Sequence, residues 1–180
     1  SADLLVLPEL ALTGYLFADR DELLQLAAVA GGDAEQRLVQ IAGDTGCHLV
    51  VGLAERDGAR AYNSAVLVGP SGVIGRYRKA HLFDREKQLF TPGDLPLDVW
   101  QVGEARVGMM ICFDWIFPEA TRTLALRGAD LVAHPSNLVL PLCQRVMPAR
   151  CLENRVYAVT ANRWGREARG SRELSFTGAS

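Results

Sequence analysis

Apolar positions come in short runs along this chain, and the period within each run predicts an element. "DLLVLPE", residues 3–9, is a continuous Leu/Val run ended by Pro8, the pattern of a buried strand that delivers Glu9 into a loop. In "ADRDELLQLAAVAGG" Asp19 serves as an N-cap with Glu22 three residues on, and Leu23, Leu26, Ala27 and Ala30 share one face of a helix that Gly31 stops. A second helix is expected from Asp33 to about Gly43, with Leu38 and either Ile41 or Ala42 pointing inward. Three strand-like runs follow, "HLVVGLAE", "AYNSAVLVG" and "GVIGRYRKA", separated by the turn residues "RDG" and "GPSG", which reads as an antiparallel meander. "LDVWQVGEARVGMMIC" adds two strands around a turn at Gly103. The order then becomes helix, strand, helix, strand: "PEATRTLALRG", "ADLVAHP", about Leu142 to Asn154, and "VYAVTAN".

Several of these strands are apolar almost throughout, so both faces of their sheets must be covered. Together with the helices they predict a layered α/β (or α+β) fold. No repeat, low-complexity tract or linker breaks the pattern, and residues 1–180 read as a single domain. With 180 residues, 49 % of them hydrophobic and 22 % charged, the chain can bury one substantial core.

The formal net charge of -2, spread evenly along the chain, leaves no basic footprint for nucleic acid or an anionic membrane surface. No apolar stretch approaches the roughly 20 residues of a bilayer span, and no signal segment opens the chain. A cytoplasmic protein acting on a small molecule is expected. Because the chain begins "SADLLVLPEL" without an initiator Met and stops abruptly at "LSFTGAS", a longer native chain is expected as well. Cys47, Cys112, Cys143 and Cys151 are spaced too widely for a zinc-binding motif and read as free thiols. Of 19 basic residues only Lys79 and Lys87 are lysines, so a lysine that persists marks a place where a compact ammonium is wanted; codon bias with two chance survivors is the competing explanation.

Cys112 closes the strand-like run "RVGMMI", and Pro118 suits the first turn of a helix, so the cysteine sits on a short strand-to-helix connection. That is a nucleophile's position: the strand holds the sulfur, and the turn amides with the following helix end favour a thiolate. A small buried hydrophobe at a strand end is the plain alternative. A thiol nucleophile needs a base. His81 in "RKAHLF" and His134 in "VAHPSN" would serve in a papain-like scheme, but no third orienting residue accompanies them, and a structural role capping loops or bonding backbone fits both better. Glu9 and Lys79 each end a strand as Cys112 does, and loops at one edge of a sheet converge.

"LPELALTGY", "YRKAHLFDREKQLFTPGD" and "MMICFDWIFPEATRTLALRGADLVAHPSN" resemble the three signature blocks of the nitrilase superfamily, the carbon-nitrogen hydrolases with a Glu-Lys-Cys triad. "YNSAVLVGPSGVIGRYRK" and "PARCLENRVYAVTANRWG" resemble the segments that connect them, so the likeness runs nearly the whole length. Within the superfamily the chain is most similar to the branch of aliphatic amidases, N-carbamoyl hydrolases and aliphatic nitrilases. The resemblance implies a four-layer α-β-β-α sandwich, with Cys112 as nucleophile, Glu9 as general base, Lys79 as oxyanion stabiliser aided by the Phe113 N–H, and Glu86, rather than Asp84, as the second glutamate. It implies no metal or organic cofactor, and a homodimer or a larger assembly of dimers in the full-length enzyme. Family members begin with a further strand and helix and continue with further strands and a tail, which this chain lacks at both ends.

Tyr15, Phe113, Trp115 and Asn137 are pocket candidates. Asp114, Glu119, Arg150, Glu153 and Asn154 read as a supporting polar network, with Asp114 and Glu119 bonded to backbone or arginine. Relatives that take N-carbamoyl-D-amino acids carry arginines just after the nucleophile. Here Phe113, Asp114, Trp115 and Ile116 stand there, which disfavours an anionic carboxylate. A small aliphatic amide, a carbamoyl amine or an aliphatic nitrile stays open, and Asp114 would suit a cationic tail if it faced the pocket. A non-enzymatic interaction domain on the same fold is the reading from another class.

Overall fold

The computed structural model describes residues 2–180. Its first sheet is built from β1 (Leu4–Val6), β2 (Ala28–Val29), β3 (His48–Asp57), β4 (Arg60–Gly69) and β5 (Gly72–Arg78), in the order β1-β3-β4-β5 with β2 also on β3. The expected meander is there, with β3, β4 and β5 antiparallel and β1 parallel to β3. The second sheet has the order β6 (Val99–Val102), β7 (Ala105–Met109), β8 (Leu131–Ser136), β9 (Tyr157–Asn162). A hairpin joins β6 to β7, and the crossovers from β7 to β8 to β9 keep those strands parallel.

Side-chain alternation stacks these sheets. On β3, Leu49, Val51 and Leu53 join Leu38 and Ala42 of helix α2 (Asp33–Thr45), while Val50 faces the opposite way with Ala65 and Leu67 of β4 and Tyr77 of β5. This inner face shares one core with Val107 and Met109 of β7 and Ala133 of β8. The outer face of the second sheet carries α4 (Pro118–Leu126) and α5 (Cys143–Asn154); a Cβ on Gly108 would lie 2.8 Å from a methyl of Leu124, so the glycine is what lets α4 lie flat on β7. The layers are therefore helix, sheet, sheet, helix. Each fully buried Leu, Val or Met in this core contributes about 1.5–3 kcal/mol.

Several elements depart from the sequence reading. Helix α1 spans only Arg20–Leu26: Asp19 does cap it, accepting from the Glu22 N–H at 2.9 Å, but Leu26 is exposed and Ala28–Val29 leave the helix to pair with Glu55 and Arg56 of β3. An open edge on β3 outcompetes the helical period there. Helix α2 runs through Gly43 to Thr45 and ends at Gly46, whose φ of +67° supplies the left-handed cap. Of the two inward candidates Ala42 is buried and Ile41 is exposed. The hairpin of β10 (Trp164–Arg169) and β11 (Arg172–Thr177) was not anticipated, although "REARGSREL" alternates around Gly170. A 3-10 turn over Cys112–Ile116 separates Cys112 from α4. Among the described residues, no helix is long and apolar enough to cross a membrane.

Gly52 of β3 touches the chain bend that leads to Glu9. A Cβ there would lie 2.5 Å from both Glu9 Cα and Pro8 O, two backbone atoms with no slack. Gly52→Ala is expected to destabilise the fold by about 2 kcal/mol or more through backbone displacement. Gly43→Ala, whose new carbon would meet only Pro70 O at 3.6 Å, is expected to stabilise it by about 0.5–1 kcal/mol. Chemical denaturation of both variants checks the pair, and a neutral Gly52→Ala would refute the close approach.

Candidate active site

The segments that leave β1, β5, β7 and β8 at their C-terminal ends carry Glu9, Lys79, Cys112 and Asn137. β1 and β5 point the same way because the meander reverses twice between β3 and β5. Glu86 enters from the first residue of a one-turn helix, α3 (Glu86–Leu89). All five side chains are buried, none more than 5 % exposed. Asp84, by contrast, is exposed.

Lys79 Nζ lies 2.6 Å from Glu9 Oε1 and 2.9 Å from Glu86. Tyr15 donates its hydroxyl to Glu86 Oε1 at 2.7 Å, and the Phe83 N–H donates to Oε2 at 3.0 Å, so Glu86 is fully engaged. Glu9 is engaged on one side only. Its Oε1 accepts from Lys79 and from Asn63 Nδ2 at 2.7 Å, while Oε2 has no partner among the described residues. Burial pushes the Glu9 carboxyl up from the ordinary carboxylate range, with the Glu86 charge adding to this and the Lys79 ammonium opposing it. Burial works against the ammonium of Lys79, but Glu86 and Glu9 outweigh it and hold its pKa well above the ordinary lysine value.

Cys112 has φ +40°, a left-handed conformation that a side chain adopts only when its surroundings impose it. Asp114 and His134 impose it here. Asp114 is completely buried and accepts from the Ile111 N–H at 2.8 Å, from Tyr77 Oη at 2.9 Å and from the His81 backbone N–H at 3.2 Å, with His81 Nδ1 2.7 Å away. His134 Nε2 donates to the Cys112 carbonyl at 2.9 Å and Nδ1 takes the Thr160 hydroxyl at 3.0 Å, which fixes the Nε2–H tautomer. Both histidines are thus spent on backbone and carboxylate, not on the sulfur. The thiolate expected from a helix end is not what the structure holds: α4 begins six residues later, and burial followed by the Glu9 charge pushes the Cys112 thiol well up, against the pull of Lys79. Burial and these charges therefore favour the protonated thiol at Cys112.

A cavity of about 60 Å3 opens on Cys112, and its other walls include Phe113, Trp115, Asn137, Phe83, Leu138 and Leu140. The space is small and its walls are mostly apolar, which suits a short apolar group. Tyr15 does not line it; with Glu86 it lines a neighbouring cavity of about 40 Å3 that shares Phe83. Asn137 donates Nδ2 to the Glu9 carbonyl at 2.7 Å, and its backbone N–H helps lower the proton affinity of the Cys112 sulfur. Glu119 is exposed, whereas Arg150 reaches the Trp115 carbonyl at 3.4 Å and Glu153 at 3.2 Å, securing the end of the 3-10 turn. Among the described residues, no group of three or more His, Cys, Asp or Glu is placed to hold a metal ion.

The model of the carbon-nitrogen hydrolase family matches residues 1–180. The chain belongs to that family. A nitrilase from Pyrococcus abyssi is 55 % identical over 180 residues, covering 99 % of this chain and 67 % of the relative. An (R)-stereoselective amidase from Pseudomonas sp. is 39 % identical over 99 % of this chain and 64 % of its own length. In solved form, a mutant of the amidase from Nesterenkonia sp. AN1, carrying the acetamide moiety of fluoroacetamide covalently at its active site cysteine, aligns with a TM-score of 0.84 and 33 % identity over 98 % of this chain and 67 % of that one. The chain spans about two thirds of the length of these relatives.

Two residues of this carbon-nitrogen hydrolase chain escaped the sequence reading. Asn63 lies in a strand that reads as plain core, and only its polarity inside "AYNSAVLVG" could have singled it out. Glu167 of β10 accepts the N–H groups of Tyr15, at 3.0 Å, and Leu16, at 2.8 Å, pairs with Arg163, and fills the space that a Cβ on Gly14 (φ +81°) would need. It ties the hairpin to the loop that presents Tyr15 to Glu86.

His134 generates a stability test. Burial pushes its imidazole down from 6.5 to about 4. The unfolded chain takes up this proton near pH 6.5 and the folded chain only near 4, so stability is expected to fall across that interval, by about 3 kcal/mol from this residue. His134→Gln should flatten that part of the difference curve in pH-dependent denaturation; an unchanged slope would show that the imidazole is not buried neutral.

Proposed function

We propose that this chain carries the catalytic centre of a hydrolase that cleaves the carbon-nitrogen bonds of small, neutral aliphatic amides or nitriles through a thioester on Cys112. The observation that carries the reading is the half-engaged Glu9: Lys79 and Asn63 hold Oε1, and buried Oε2 is left free in a cluster that includes the Cys112 thiol. Cys112 Sγ attacks the carbonyl carbon as its proton passes to Glu9 Oε2. Negative charge gathers on the substrate oxygen, where the Lys79 ammonium and the Phe113 N–H stabilise it. The C–N bond then breaks, Glu9 returns the proton to the nitrogen, and ammonia leaves with the acyl group on sulfur. Water deprotonated by Glu9 attacks the thioester, the C–S bond breaks with its proton restored to sulfur, and the acid departs. A nitrile enters by addition of Sγ to its carbon and consumes one further water.

The cavity walls favour an uncharged acyl chain. No charged side chain stands among them, and Asp114, the acid nearest in sequence to the nucleophile, is occupied by Tyr77, His81 and the Ile111 N–H. A carbamoyl compound with a cationic tail would leave its charge without a partner there. The Nesterenkonia relative, with an acetamide group on its active site cysteine, supports an acyl group of this size.

Ammonia release from short aliphatic amides, aliphatic nitriles and N-carbamoyl amines, measured on the chain and on Cys112→Ala, tests the reading. Turnover of the neutral amides or nitriles is expected, with a loss of at least about 10⁴-fold in Cys112→Ala and of about 10² to 10³ in Lys79→Met. Ammonia release that survives in Cys112→Ala would sink it. Mass spectrometry after exposure to a haloacetamide is expected to place the adduct on Cys112 ahead of Cys47, Cys143 and Cys151, and equal labelling of all four would count against a nucleophile.

A further inference from the structure

Asn63 is a polar side chain on the inner, apolar face of β4, only 1 % exposed. It touches two members of the cluster at once: its Nδ2 donates to Glu9 Oε1 at 2.7 Å, and its backbone carbonyl accepts the Lys79 N–H at 2.8 Å. Its Oδ1 has no partner among the described residues. A buried carbonyl left this way is destabilising, because it loses its hydration and gains no partner. Turning the amide over would set that oxygen against the Glu9 carboxylate and lose a charge-assisted bond, which costs more. The orientation is therefore dictated by Glu9, and a strand with only a core to fill would be better served by leucine at this position.

We propose that Asn63 is a positioning residue for Glu9: its amide reserves Oε1, leaves Oε2 as the oxygen that exchanges protons with Cys112, and sets the pH above which that oxygen is ionised. The proposal rests on the reading of Glu9 as the base. The other groups that face Glu9 are Lys79 at the end of β5, Glu86 from α3, Cys112 from the 3-10 turn and Tyr15 from the loop after β1. Asn137, beyond β8, gives an uncharged amide to the Glu9 carbonyl, and His134 is committed to the Cys112 carbonyl. Of the neighbours, Lys79 and Asn63 favour the ionised carboxylate, against burial and Glu86. Lys79 supplies charge, and Asn63 supplies direction as well as a second donor on the same oxygen.

The test is a carbon-13 NMR titration of the Glu9 carboxyl in the whole chain, assigned by the signal lost in Glu9→Gln and repeated in Asn63→Leu and Asn63→Ser. Removing a donor to the ionised form raises the pKa, so the Glu9 titration is expected to move up by about half to one pH unit in Asn63→Leu. The acid limb of kcat/KM for amide hydrolysis should move with it, cutting the rate below the limb by about three- to tenfold. Asn63→Ser, which keeps the site polar but cannot reach Oε1, is expected to shift the titration the same way and serves if Asn63→Leu does not fold. A Glu9 titration that stays in place in a folded variant overturns the proposal, because a purely structural asparagine would lower stability without moving it. Wild-type chain that releases no ammonia, or an acid limb unaffected by Glu9→Gln, would instead overturn the reading of Glu9 as the base, and the NMR result separates the two failures.

Discussion

One lysine ammonium between two glutamates, sealed between two sheets, is the arrangement to which the rest of this site is fitted. Taking such charges out of water costs several kcal/mol per ion, and only short, well-directed contacts offset it. Lys79 makes them at 2.6 and 2.9 Å, and both carboxylates add neutral donors: Asn63 for Glu9, Tyr15 and the Phe83 N–H for Glu86. Two acids share one cation, so the cluster holds one negative charge too many or one proton extra, and burial places that pressure on Glu9. A carboxyl whose proton affinity is raised in this way, with one oxygen unengaged, is chemically suited to exchange protons with a neighbour.

Cys112 belongs to the same buried cluster, and the fold spends backbone conformation to hold it there. A positive φ in a non-glycine residue costs of order 1 kcal/mol or more, and the strain is held by Asp114 from one side and His134 from the other. Their contacts show what two histidines so near a cysteine do instead of bonding its sulfur. His134 has both ring nitrogens committed, and His81 braces Asp114 while stacked on Phe117 at 3.7 Å. Burial and the Glu9 charge oppose a thiolate at Cys112, against the pull of Lys79. In the proposed mechanism reactivity therefore comes from proton transfer to Glu9, not from a pre-formed anion.

Much of this was legible in the chain. The meander, the hairpin at Gly103 and the alternation of helices with parallel strands follow from hydrophobic period and turn residues, and Glu9, Lys79 and Cys112 stand out because each ends a strand. What was not legible has a common cause. Helix α1 lost its last turn to an open edge on β3, a competitor 27 residues away that no local period reveals. Glu167 contacts the Tyr15 loop across 152 residues, and Asn63 reaches Glu9 across 54. Short-range patterns carry no trace of partners at such separations.

The sequence by itself determined which reactive groups exist, which strand ends carry them and which faces of the strands are apolar, because these depend on residue type and on periods of two and 3.6. Tertiary structure alone decided that Lys79 lies between Glu9 and Glu86, that Asp114 braces the turn at Cys112 instead of facing the cavity, and that one oxygen of Glu9 is left free. Those outcomes turn on ångström-scale distances and on burial, which arise only when two sheets close on each other and exclude water from the charges between them.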